Sequence, residues 1–145
     1  MYKDFIEDRI NVFLEEFEKL VIKENIPITN FLYKECDYKL DNTLPEIDDS
    51  FTLFTPYINR WGGKKDKHAW FYNEIEVPSH WDGEIQLAVA SDARLGWCDI
   101  NPQFIAYVDD KLQQGIDKNH REVFLSKGTH KVYLYAYSGS IHDEY

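Results

Sequence analysis

The sequence predicts a mostly-β protein: an antiparallel β-sandwich preceded by one N-terminal amphipathic α-helix. Three observations carry that prediction. Between Trp61 and Gly139, short runs of alternating apolar and polar residues recur, each bounded by a turn signal. The N-terminal stretch instead repeats apolar residues at helical spacing. The 145 residues also include ten Tyr, nine Phe and four Trp, rings that fill a sandwich core readily. One domain is the default at this length. Residues 1–45 read as the helix and a connecting segment, and 46–145 as the sandwich.

From Asp4 to about Lys23, apolar side chains fall at Ile6, Ile10, Phe13, Phe17, Leu20 and Val21, with Glu15, Glu16, Glu18 and Lys19 on much of the other face. Asp4 and Glu7 favour the positive end of the helix dipole. Pro27 forbids an α conformation at Ile26 and so stops any continuation. Such a stripe must cover something, either the sandwich or a partner domain. Residues 31–40 are mixed and carry no clear signal, and 41–50 is polar with Pro45, hence a loop.

Phe51 to Thr55 reads as a short strand ended by Pro56. Ala69, Phe71, Ile75 and Val77 alternate with Trp70, Tyr72, Glu74 and Glu76; Ile85, Leu87 and Val89 alternate with Glu84, Gln86 and Ala88. Phe104, Ala106 and Val108 repeat the pattern before Asp109-Asp110, where a tight turn belongs. Residues 115–117 read as a polar loop, Val123 and Leu125 as a short strand. Val132, Leu134 and Ala136 form the last strand, with Tyr133, Tyr135 and Tyr137 opposite. Such closely spaced strands predict an antiparallel sandwich or barrel, not βαβ units.

A formal charge of −10 argues against nucleic acid and anionic membranes as partners. The charged N-terminus lacks the apolar core of a signal peptide, and no window approaches about 18 uninterrupted apolar residues, so a cytoplasmic location is expected. Cys36 and Cys98 are too few for a disulfide framework and read as free thiols.

Catalytic signatures are sparse. The histidines at 68, 80, 120, 130 and 142 share no metal-ligand spacing, and there is no hydrolase elbow and no phosphate-cradling glycine loop. Asp48-Asp49, Asp109-Asp110 and Asp143-Glu144 are adjacent acids that suit solvated turns better than a glycosidase pair. Trp61, Trp70, Trp81 and Trp97 lie near turns or strand starts, where each ring either packs into the core or stacks on a sugar. The tyrosine stripe is either the second face of an inner strand or a surface for another domain. Asp117, His120 and Arg121 read as a hydrogen-bonded loop or a contact with a neighbouring domain or ligand.

Taken in order, these residues resemble a known family. Trp61-Gly62-Gly63, His68, Trp70-Phe71, Val77-Pro78, Trp81 and Gly83 are similar to the segment preceding the catalytic domain in α-mannosidases of glycoside hydrolase family 38. The likeness continues through Gln103 to Lys111. It is strongest at Gln114-Gly115-Ile116-Asp117-Lys118-Asn119-His120-Arg121-Glu122-Val123 and closes with Tyr135-Ala136-Tyr137-Ser138-Gly139. It spans about residues 55–140. One departure is Asp109-Asp110, where the family turns through Asn-Gly; a looser or different turn is expected there.

The resemblance implies an enzyme that releases terminal α-mannosyl residues with retention, using zinc and an Asp nucleophile. The family's H-x-D zinc motif opens the catalytic domain, whereas here His142 is followed directly by Asp143. The chain therefore resembles the non-catalytic N-terminal domain. No catalytic residue or cofactor is expected within it; zinc belongs to the catalytic domain of the same polypeptide. The implied role is to pack on that domain, stabilise it, wall its cleft or assist homo-oligomerisation. Trp61, Trp70, Trp81, Asp117, His120 and Arg121 are the candidate contacts to carbohydrate or to that domain. The other role is a carbohydrate-binding module docking mannose-containing glycans through exposed Trp or Tyr. Either suits a jelly-roll resembling galactose-binding-like domains.

Overall fold

In the computed structural model, which describes residues 2–38, 41, 43–56, 58–62, 66–89, 103–117 and 119–139, the N-terminal stripe winds into helix α1 (Tyr2–Val21). The helix ends two residues short of Lys23, where Val21 and Ile22 place adjacent β-branched side chains of lower helix propensity. Eight strands follow: β1 (Phe31–Cys36), β2 (Thr52–Phe54), β3 (Lys67–Val77), β4 (Ile85–Ala88), β5 (Gln103–Val108), β6 (Lys111–Ile116), β7 (Glu122–Leu125) and β8 (Gly128–Ser138).

Six of them form one antiparallel sheet in the order β2-β1-β3-β8-β5-β6, and β4 pairs with β7 in a second. The two sheets make the expected antiparallel β-sandwich, preceded by one helix. Its larger sheet begins at Phe31, inside the stretch the sequence assigned to a connecting segment. Two strands escaped the sequence pattern. β1 is half-buried along most of its length and so shows no clean alternation. β6 is an edge strand, rich in exposed polar residues, that includes part of the supposed polar loop at 115–117.

The centre of the large sheet is the β3–β8 pair, in register from Lys67↔Ser138 to Val77↔Gly128. Alternation sends Ala69 and Phe71 of β3, Val132, Leu134 and Ala136 of β8, and Ala106 and Val108 of β5 toward the small sheet, where Leu87 and Val123 meet them. Phe71 is the hub of this core. Its ring centroid lies 5.0 Å from Phe54, 5.1 Å from Tyr33, 5.7 Å from Trp61 and 6.4 Å from Phe104. Ala69, Ala106 and Ala136, wholly buried, leave room for these rings. Gly62 approaches β8 so closely that a Cβ there would lie 2.8 Å from the Ser138 Oγ, and its φ of 102° is left-handed.

The β5–β6 connection corrects the expected loose turn. Val108 and Lys111 pair across a two-residue hairpin, and Asp109 and Asp110 both take positive φ, 50° and 64°. Asp109 is held there by its own carboxylate, which accepts the Lys131 backbone N–H at 3.0 Å and a His130 ring N–H at 2.7 Å. Glycine's conformational freedom is replaced by side-chain hydrogen bonds.

Candidate functional site

The other face of the large sheet carries a second aromatic layer. Direct cross-strand partners share a face, so His68↔Tyr137, Trp70↔Tyr135 and Tyr72↔Tyr133 line up six rings along β3 and β8. Tyr107 of β5 joins them opposite Tyr133. Over most of this layer lies the segment before β2: Leu44, Ile47 and Phe51 pack on Trp70, Tyr72, Tyr107 and Tyr133. The Lys34 ammonium sits 5.5 Å from the Phe51 ring centroid above them. Burial raises the pKa of the Tyr107 and Tyr133 hydroxyls, which stay protonated.

The cover stops before the end of the sheet. There Tyr38, His68, Tyr135 and Tyr137, with Gln103, Phe104 and Ile105, line an open groove of about 270 Å³. His68 is its centre, 5.3 Å from Tyr38, 5.1 Å from Tyr137 and stacked at 5.7 Å on Tyr135. Its Nδ1 shares a 2.8 Å hydrogen bond with the Tyr135 hydroxyl. The Tyr137 hydroxyl donates to Asp66 at 2.8 Å, and this bond raises its pKa. The groove is thus an amphipathic aromatic surface with fixed polar tips. It suits the flat face of another ring, an apolar side chain or a sugar.

The predicted site residues do not gather here. Trp70 is 5% exposed, within the covered layer, and offers no stacking platform. Trp61 packs edge-on against Phe71 from the opposite, core side. Trp81 sits in the turn after β3, and its indole N–H donates to Glu24 at 2.5 Å; His80 lies 3.4 Å from the same carboxylate. These two residues anchor the segment leaving α1. Asp117, His120 and Arg121 build the β6–β7 turn: one Asp117 oxygen accepts the backbone N–H groups of Asn119 and His120 at 2.7 and 2.8 Å, which lowers its pKa. Its own N–H donates to the His120 carbonyl at 3.0 Å, and the Arg121 carbonyl accepts from Val89 at 2.9 Å. Asp117, His120 and Arg121 therefore sit in the connection that joins β6 of the large sheet to β7 of the small one. Trp97, Cys98, Ser140, His142 and Asp143-Glu144 lie outside the described residues.

The sequence also concealed a buried polar chain. His130, 8% exposed, places Nδ1 at 2.7 Å from an Asp109 oxygen and Nε2 at 2.9 Å from the Ser126 carbonyl, with the Ser126 hydroxyl at 3.2 Å. The residue types are those of a hydrolase triad, but the geometry is not. Both ring nitrogens face acceptors, an arrangement that favours the doubly protonated ring, and the Asp109 bond raises the imidazole's pKa. An imidazolium held this way cannot accept the serine's proton. His130 and Asp109 are separated by 21 positions, and only the β5–β8 pairing brings them together.

Among the described residues, no three His, Cys, Asp or Glu side chains come together as a metal site, and no helix is long and apolar enough to cross a membrane. In comparison with known proteins, no family model, no curated protein and no solved structure matches the chain.

Proposed function

We propose that this chain is the accessory, non-catalytic β-sandwich domain of a zinc-dependent retaining α-mannosidase of the glycoside hydrolase family 38 type, packing on the catalytic domain of the same polypeptide. The observation that carries the reading is the uncovered end of the aromatic face, centred on His68, in a chain with the family's order of motifs. A surface of rings left open beside the covered part of the same layer is what a second domain closes over. Hydrolysis of terminal α-mannosyl residues and the zinc ion belong to that second domain; no residue of this chain is assigned to either.

Two measurements test the reading. The coding sequence after Tyr145 is expected to continue into a domain that opens with an H-x-D motif; continuation into an unrelated domain overturns the proposal. The chain alone, with zinc and an aryl α-mannoside, is expected to give no turnover above buffer. Clear hydrolysis overturns the accessory role.

The same groove favours a second reading, a carbohydrate-binding module, because Tyr38 presents an exposed ring beside the Tyr135 and Tyr137 hydroxyls. Mannose titrated to millimolar concentration would then shift the NMR signals of His68 and Tyr137. Unmoved signals rule it out.

A further inference from the structure

From β8, the buried His130 ring bridges two turns. Its Nδ1 lies 2.7 Å from the Asp109 carboxylate of the β5–β6 hairpin. Its Nε2 meets Ser126 twice, at 2.9 Å from the backbone carbonyl and 3.2 Å from the hydroxyl. A carbonyl oxygen can only accept a hydrogen bond, whereas a hydroxyl accepts or donates. That difference makes the contact sensitive to the charge of the ring. Asp109, with Lys111 beside it, supplies the charge on this side of the sheet. The cross-strand partner on β3 is the apolar Ile75, and Glu74, Glu76 and Lys131 alternate to the other face.

A doubly protonated ring satisfies both acceptors. A neutral ring has one hydrogen, for which the two nitrogens compete. A bare Nδ1 would set its lone pair against the Asp109 anion, whose other oxygen is already engaged by the Lys131 N–H. The charge-assisted bond at Nδ1 is also the stronger one. Nε2 therefore gives up its hydrogen, and its lone pair then opposes those of the Ser126 carbonyl. The hydroxyl beside it relieves that repulsion by donating. The carbonyl belongs to the exposed two-residue connection between β7 and β8. Gly128 follows with a φ of 114° and open space around it, so the peptide has room to turn. We infer that loss of a proton from His130 to solvent rewires this turn: Nδ1–H stays on Asp109, the Ser126 carbonyl swings away, and the Ser126 hydroxyl donates to Nε2 in its place. The switch sits where the chain passes from the small sheet to the large one. Lys127, within it, pairs at 3.3 Å with Asp82 in the β3–β4 connection. The inference is independent of the α-mannosidase reading.

Nitrogen-15 NMR of the His130 ring, recorded from about pH 6 upward, tests it. As the ring neutralises, Nε2 is expected to take the chemical shift of a bare ring nitrogen while Nδ1 keeps that of an N–H. The backbone amides of Lys127 and Gly128 should move along the same titration curve. In Ser126→Ala no hydroxyl can donate to the neutral ring. The ratio of neutral to charged ring at a given pH should then fall roughly two- to tenfold. His130→Gln should hold the Lys127 and Gly128 amides still over the same range. Loss of the hydrogen from Nδ1 instead overturns the inference, as do amides that ignore the ring or still titrate in His130→Gln. So does an unchanged or higher ratio in Ser126→Ala, or a ring that keeps both hydrogens until the chain unfolds.

Discussion

At the residue scale, the fold rests on Phe71 and on the His130–Asp109 pair. Phe71 meets five other rings, Phe31, Tyr33, Phe54, Trp61 and Phe104, so its removal would leave a cavity at the centre of the core. Phe71→Ala should cost about 3–5 kcal/mol, read as a lower urea midpoint. The His130–Asp109 pair gives a pH dependence whose sign follows from both groups. His130 is raised above its ordinary 6.5, so its contribution is complete below about 6.5 and is lost as pH rises through the folded value. Asp109 is lowered below its ordinary 3.8, so its contribution is complete above about 3.8 and is lost in stronger acid. Stability from this pair is therefore greatest between about pH 4 and 6.5 and falls toward pH 8. Urea midpoints at pH 6 and 8 measure that fall, and His130→Gln should flatten it while costing about 1–2 kcal/mol at pH 6. None of this was legible in the sequence. Asp109-Asp110 announced a turn, but its tightness depends on a histidine from another strand.

At the element scale, the segment before β2 matters as much as a strand. Sequence patterning correctly made the described residues of this stretch, 41 and 43–50, irregular, because their polarity and Pro45 oppose regular pairing. It could not show that Leu44 and Ile47, two apolar residues in a polar run, fasten the segment over Trp70 and Tyr72. Phe51→Ala should strip this cover from the sheet. The expected outcome is a loss of about 3–5 kcal/mol and new binding of the dye ANS, which the unmodified protein should bind weakly. Strands β3 and β8 show why alternation is an incomplete guide. Their outward positions carry Trp and Tyr, so both faces bury rings, and the polar half of the pattern is confined to one end, at Glu74, Glu76, Thr129 and Lys131. The periodicity located both strands but could not say which face was the core.

At the scale of the molecule, the sheet is a middle layer. The small sheet covers one face, and the 43–51 segment covers most of the other. The helix belongs to neither layer, and among the described residues the contacts of Glu24 with Trp81 and His80 secure the chain just beyond it. Deleting residues 2–21 should therefore leave the sandwich's urea midpoint within about 0.5 M of the full chain at a concentration where both are monomeric. A collapse of cooperative unfolding would show that the helix is part of the core. The sandwich class and the helix were readable because each has its own period. The site was not, because the open groove draws one residue from β3, three from β5, two from β8 and one from the stretch after β1, and no linear motif joins them.

The β3–β8 pairing also sets the order in which this protein can fold. Lys67 finds its partner only at Ser138, so the middle of the large sheet cannot close until synthesis has passed β8, 71 positions further on. At ribosomal speeds of about 5–20 residues per second, Trp70, Phe71 and Tyr72 wait several seconds for their β8 partners Tyr135, Leu134 and Tyr133. Closing so long a loop first is entropically unfavourable, which places folding in the slow regime of non-local β-proteins, milliseconds to seconds. During that interval the nascent strand exposes the aromatic residues of both future faces at once. It is the segment a chaperone would have most reason to hold.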